Sequence, residues 1–109
     1  MRDGIYRMQY QTSTLNAIAV IVLNDGVLSG CDRFHFMFGD YCQRGNRLNG
    51  TINFERHTGK PGPGIPEQFK IVFDGVGSDA FGQLDVDCPD IPQIRGHASF
   101  TWLAGFTAG

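Results

Sequence analysis

The sequence predicts an all-β protein: an eight-stranded, up-and-down (meander) antiparallel β-barrel with little helix. Three observations predict it. Short runs rich in β-branched and aromatic residues recur at about ten-residue spacing along the 109 residues, separated by glycine- and asparagine-bearing turns. No segment keeps apolar residues at the i, i+3, i+4, i+7 spacing that a packed helix needs. The connections are nearly all hairpin-short, without the long crossovers of a Greek key, so a closed meander is favoured over a sandwich.

The organising hairpin is Ala17 to Asp32. Seven consecutive apolar residues, Ala17 to Leu23, run into Asn24-Asp25-Gly26, and a second short run begins at Val27. An Asp-Gly between two β-prone runs marks a tight turn, because its central positions need positive φ. Before it, Ile5 to Gln11 alternates Tyr6, Met8 and Tyr10 with Arg7 and Gln9 to make the first strand, and Thr12-Ser13-Thr14 turns the chain into the second, Ala17 to Leu23. Val27 to Gly30 is the third.

Phe34 to Tyr41 is the fourth strand, with Phe34, Phe36 and Phe38 assigned to the inner face and His35 and Met37 to the outer one. Arg44-Gly45-Asn46 leads into the fifth, Leu48 to His57, where Leu48, Ile52 and Phe54 share the inner face and Gly50 marks a bend. Thr58 to Pro66 carries three prolines and three glycines in nine residues and is the one long loop. Gln68 to Phe73, Ala80 to Val86 and Ile94 to Leu103 complete the set, joined by a turn at Gly75 to Asp79 and a proline-bearing connection at Cys88 to Gln93. Their inner faces are Phe69/Ile71/Phe73, Leu84/Val86 and Ile94/Ala98/Phe100/Trp102. Ala104 to Gly109 is a tail.

Composition bounds the function classes. Residues 1–109 form one domain, 41% hydrophobic and 18% charged, with a net charge of −2 and both signs scattered. No basic footprint for nucleic acid or an anionic membrane is visible. The longest apolar run is far short of a spanning helix, and the N-terminus lacks a signal-peptide core, so a cytoplasmic location is expected. Three cysteines, Cys31, Cys42 and Cys88, are odd in number and without CxxC spacing. Free thiols follow, rather than a disulfide framework or a structural zinc site.

No residues present a catalytic or metal-binding pattern, and neither enzyme activity nor a cofactor is expected. By strand alternation, His35, His57 and His97 all fall on outer faces, as solvated surface histidines. Asp85 and Asp87 alternate with Leu84 and Val86, as on the polar face of an exposed strand. Gly75-Val76-Gly77 precedes a strand, not the helix that a phosphate loop requires. Ser13, Ser29, Ser78 and Ser99 stand in no nucleophile-elbow context.

Asp3-Gly4-Ile5-Tyr6, Asn24-Asp25-Gly26, Gly30-Cys31-Asp32 and Gly39 together resemble the GrlR-like family, over almost the whole chain. Its members are negative regulators of type III secretion genes. The resemblance implies a calycin-like, lipocalin-like eight-stranded barrel, homodimeric, that sequesters a transcriptional activator by protein–protein binding without touching DNA. This sequence departs from that pattern at one place. The loop after the fourth strand, acidic in the best-studied regulator, here reads Cys42-Gln43-Arg44-Gly45-Asn46. The acidic partner-binding patch therefore does not carry over.

Two binding hypotheses remain. In the first, the outer skin of the barrel works. Ala17, Ala19 and Ile21 alternate with Ile18, Val20 and Val22, so whichever set faces inward, the other leaves an apolar stripe outside. Such a stripe marks a dimer or partner interface, unless the tail or the 58–66 loop covers it. Partner choice then falls to Gln43, Arg44, Gly45, Asn46 and Arg47, whose basic character suits an acidic partner. In the second, the interior takes a small apolar ligand, as in lipocalin-type carriers, lined by Tyr6, Tyr10, Phe36, Phe54, Phe73, Phe100 and Trp102. The competing reading of that aromatic series is a plain core.

Overall fold

A computed structural model describes residues 1–12, 16–59, 65–92 and 94–106. The predicted turn at Ser13-Thr14, the centre of the 58–66 loop, Gln93 and the end of the tail lie outside the described residues. The chain forms eight strands: β1 (Gly4–Thr12), β2 (Asn16–Asn24), β3 (Val27–Cys31), β4 (His35–Arg44), β5 (Arg47–Arg56), β6 (Gln68–Gly77), β7 (Phe81–Asp87) and β8 (Arg95–Ala104). Each pairs antiparallel with the next, and β8 pairs back onto β1 to close the barrel. Closure leaves no open sheet edge. No helix occurs among the described residues.

Two turns set the register. Asp25 (φ 51°) and Gly26 (φ 82°) are both left-handed, the signature of a type I′ turn, and they pair Asn24 with Val27. Between β4 and β5, Gly45 alone is left-handed (φ 60°), as a type II′ turn requires, and Arg44 pairs with Arg47. The predicted turn at Gly75 instead continues β6, because Gly75 pairs with Leu84 and Gly77 with Gly82.

The alternate residues of each strand meet in one core. Tyr6, Met8, Ile21, Leu23, Leu28, Leu48, Ile52, Phe54 and Phe100 are essentially removed from water. Phe54 stacks on Phe69 with ring centres 4.7 Å apart, and Tyr10 meets Phe54 edge-on at 6.0 Å. Such aromatic pairs contribute ~0.5–1.5 kcal/mol beyond their area burial. Gly50 lies on the inner face with no room for a side chain: a Cβ there would run into the Asp40 carbonyl and lie 2.7 Å from Phe73 Cζ.

The inner faces of β5, β6, β7 and β8 match the sequence reading, and β4 inverts it. His35 is 1% exposed and Met37 is buried with it, whereas Phe36 and Phe38 stand 41% and 44% exposed on the outside. The two-residue turn explains the inversion. It pairs Leu48 with Gln43, Ile52 with Gly39 and Phe54 with Met37. Directly opposed residues of an antiparallel pair share a face. Once β5 turns Leu48, Ile52 and Phe54 inward, Met37 must follow, and its two phenylalanine neighbours must leave.

Candidate functional site

The inversion of β4 creates a continuous apolar face on the outside of the barrel. β2 contributes Ile18, Val20 and Val22, β3 contributes Val27 and Cys31, and β4 contributes Phe36 and Phe38. Across the ladder, Val20 lies beside Cys31 and Cys31 beside Phe36. One row along, Val22 lies beside Ser29 and Ser29 beside Phe38. The two phenylalanine rings stack with centres 6.2 Å apart and planes 23° apart. Ile18 and Val20 are 59% and 50% exposed. Clustered exposure of this kind, unlike single scattered apolar residues, marks an interaction surface.

Charge borders this face at both ends of one row. Arg7 pairs in register with Val20, and Glu55 pairs with Phe36. The row therefore reads Arg7, Val20, Cys31, Phe36, Glu55 across five strands. Among the described residues neither Arg7 nor Glu55 takes part in an ion pair.

The predicted stripe divides between two faces. Ile18 and Val20 are outside, Ala17 and Val22 are half-buried, and Ala19 and Ile21 belong to the core. Ala19 and Ile21 are thus corrected out of the interface, since a strand shows only every second side chain on a given face. Phe36 and Phe38 take their place. A cover for the stripe drawn from residues 60–64 or 107–109 lies outside the described residues.

The 43–47 hairpin is less free than its sequence suggests. The side chain of Gln43 accepts a hydrogen bond from the N-terminal amine of Met1 and donates to the carbonyls of Gly45 (3.2 Å) and Gly77 (3.0 Å). Arg47 reaches both carboxylate oxygens of Asp74, at 3.0 and 2.9 Å. Its charge is thereby offset, which corrects the picture of a doubly basic loop. Arg44 is exposed and makes no ion pair among the described residues.

The interior is filled. Tyr6, Tyr10, Phe54, Phe73 and Phe100 are core residues and Trp102 is partly buried, but Phe36 is corrected out of the cavity lining because it faces solvent. Between Met8, Tyr10, Ile52, Ile71, Phe73 and Phe100 a void of about 10 Å³ remains. That is room for roughly one water molecule, against ~300 Å³ or more for an ordinary ligand pocket.

No protein-family model and no curated protein matches this chain.

The remaining polar groups are committed to structure. Asp32 caps the β3–β4 turn: its Oδ1 accepts from the backbone N–H of Phe34 (2.8 Å) and of His35 (2.6 Å). His35 Nδ1 lies 3.2 Å from the same oxygen, and the Tyr10 hydroxyl donates to Oδ2. Burial alone would push the Asp32 carboxyl up. The hydrogen bonds from His35, Tyr10 and the two backbone amides outweigh it and hold the group at about 2. Tyr10 is pushed well above its ordinary value by burial and by donating to that carboxylate. Its hydroxyl therefore stays protonated.

His35 Nε2 has no hydrogen-bond partner among the described residues, and the imidazole packs edge-on to Phe54 and Phe69 with ring centres 5.7 and 5.5 Å apart. Outward projection of His35 is accordingly corrected: the parity of β4 turns it inward, and Asp32 holds the ring there. With both side chains shut off from solvent, the pair ties the turn to β1 and gives a substrate no approach. His57 and His97 are exposed, as alternation predicts. On the outer face of β6–β8, Asp85 lies 3.0 Å from His97 and Asp87 pairs with Arg95 at 3.4 Å, so both carboxylates have a polar partner across the ladder. No group of three or more potential metal ligands occurs among the described residues. Cys31 and Cys42 are exposed free thiols and Cys88 is a buried one.

Sequence reasoning missed Phe36, Phe38 and Cys31 as surface residues. The signal that could have found them is the two-residue turn at Gly45-Asn46, which couples the faces of β4 and β5.

Proposed function

We propose that the protein is a non-catalytic protein-binding barrel that acts through the outer face of β2–β4. The observation that carries this reading is the pair Phe36 and Phe38, two large rings at 41% and 44% exposure beside Val20 and Val22. Leaving such surface in water forgoes roughly 25 cal/mol for each Å² of apolar area that a partner could cover. The closed ladder and filled core give rigid backing, so little ordering would be needed on binding. Arg44, exposed at the far end of β4, would favour an acidic partner surface.

The resemblance to GrlR-like regulators supplies the regulatory half of the proposal: a cytoplasmic protein that lowers gene expression by holding a transcriptional activator. The test is affinity capture with the wild-type chain and a Phe36→Glu/Phe38→Glu variant, compared at equal protein concentration. Bound protein, whether another species or further copies of the chain, is expected to be lost from the variant while its melting temperature stays within a few degrees. Equal capture by both would remove this face as the functional surface.

A further inference from the structure

On the side of the barrel away from β3, an open groove of about 580 Å³ crosses the outer face of β6, β7, β8 and β1. That lies within the ~300–1,000 Å³ usual for small-molecule sites. The register lays its polar side chains out in two rows. Gln83, Ser99 and Gln9 are neighbours across one row, and Asp85, His97 and Gln11 across the next. Neighbours within a row stand ~5 Å apart, and the rows ~7 Å apart. Among the described residues, the side chains of Gln9, Gln11, Gln83 and Ser99 make no hydrogen bond within the chain, so their bonding capacity is turned outward.

The chemistry of this lining selects its ligand. Among the described residues no lysine or arginine lines the groove, so nothing there would hold a phosphate, a sulfate or a nucleic acid. Its one carboxylate, Asp85, has His97 at 3.0 Å and is a poor anchor for a cation. Tyr10 and Leu84 are turned into the core and Val76 alone offers apolar contact, too little for a lipid. The sheet is closed and offers no edge to a peptide strand. What fits is a neutral ligand dense in hydrogen-bonding groups. A primary amide carries two N–H donors and a carbonyl acceptor, and each hydroxyl of a sugar both donates and accepts. Phe81, 43% exposed and two residues from Gln83 on the same face of β7, supplies a ring against which the C–H face of a sugar can lie. A second hollow of about 600 Å³ shares Asp85 and His97 with the first and continues it toward Arg95, which is paired with Asp87. The combined length suits several sugar units rather than one.

We infer that this groove binds a neutral oligosaccharide, held by the side-chain amides of Gln9, Gln11 and Gln83, with the Ser99 hydroxyl and the Asp85–His97 pair completing the polar lining. The site lies on a different face from the β2–β4 protein-binding surface and does not depend on it. Because the groove is open to water, binding is expected at about millimolar strength.

Nitrogen–proton correlation spectra of the full chain test it, because they read the glutamine side-chain amides directly. The probes are maltotetraose, cellotetraose, mannotetraose and tetraacetyl-chitotetraose, each added to ~10 mM. At least one is expected to shift the side-chain amide signals of Gln9, Gln11 and Gln83 saturably. Gln9→Ala and Gln83→Ala should each weaken that sugar's binding about threefold or more, at an unchanged melting temperature. Phe36→Glu, on the other face, should leave it as it is. No saturable shift with any of the four sugars overturns the proposal. So does an equal shift of the same amides by sodium phosphate, or an affinity that neither glutamine variant lowers. None of these results bears on protein capture through Phe36 and Phe38, so the two readings stand or fall separately.

Discussion

Met37 and Phe54 are directly opposed across the β4–β5 ladder, and both are buried. That one pairing fixes the parity of the whole of β4. It draws His35 into the barrel beside Phe54 and Phe69, and it turns Phe36 and Phe38 out to form the apolar face.

The parity has a sharp energetic consequence. Truncating a buried methionine to alanine costs ~2–5 kcal/mol, and truncating a buried phenylalanine ~3–5 kcal/mol. Met37→Ala should fall in the first range. Phe36→Ala and Phe38→Ala, on the outside, should each cost under about 1 kcal/mol in the monomer. Urea denaturation of the three variants at low protein concentration makes the comparison. A loss of several kcal/mol at either phenylalanine would reverse the assignment.

Much of this was legible in the sequence. Strict alternation identified the inner faces of β5, β6 and β8, and Asn24-Asp25-Gly26 located the first hairpin. The closed meander followed from the shortness of the connections. β4 misled because three phenylalanines at alternate positions outweigh a histidine and a methionine on any hydrophobicity scale. The turn at Gly45-Asn46 carried the opposing information, and its effect appears only when β4 and β5 are read as one ladder. Asp32, His35 and Tyr10 could not be joined in advance, since Tyr10 is 22 residues from Asp32 in sequence and meets it only in the folded barrel. The same holds for Arg47 and Asp74, which sit diagonally across β5 and β6 and need the register to be known.

Asp32 makes the protein acid-sensitive in a defined window. Its carboxyl titrates at about 2 in the fold, below its ordinary 3.8. As pH falls, the unfolded chain takes up the proton first. The stabilisation is therefore complete above about pH 5, declines through the ordinary value and is gone near pH 2, a contribution of ~2 kcal/mol. Denaturation midpoints of wild type and Asp32→Asn, followed from pH 6 to pH 2, check this. The variant should be less stable at neutral pH and should lose that part of the acid slope; a parallel slope would show that Asp32 is not the group responsible.

The filled interior predicts a null result with apolar ligands. Trp102 borders the core, with the guanidinium of Arg2 4.0 Å from its ring centre, and would sense expansion of the barrel. Titration with fatty acids or indoles should leave its fluorescence unchanged at micromolar concentrations. A saturable shift would mean that the interior opens to admit a ligand.

The most direct test of the central claim is affinity capture by the wild-type chain against Phe36→Glu, with the protein bound, whether another species or further copies, measured at equal concentration. The wild type should retain bound protein that the folded variant loses. Equal retention by both would contradict a working surface built on the outward rings of β4.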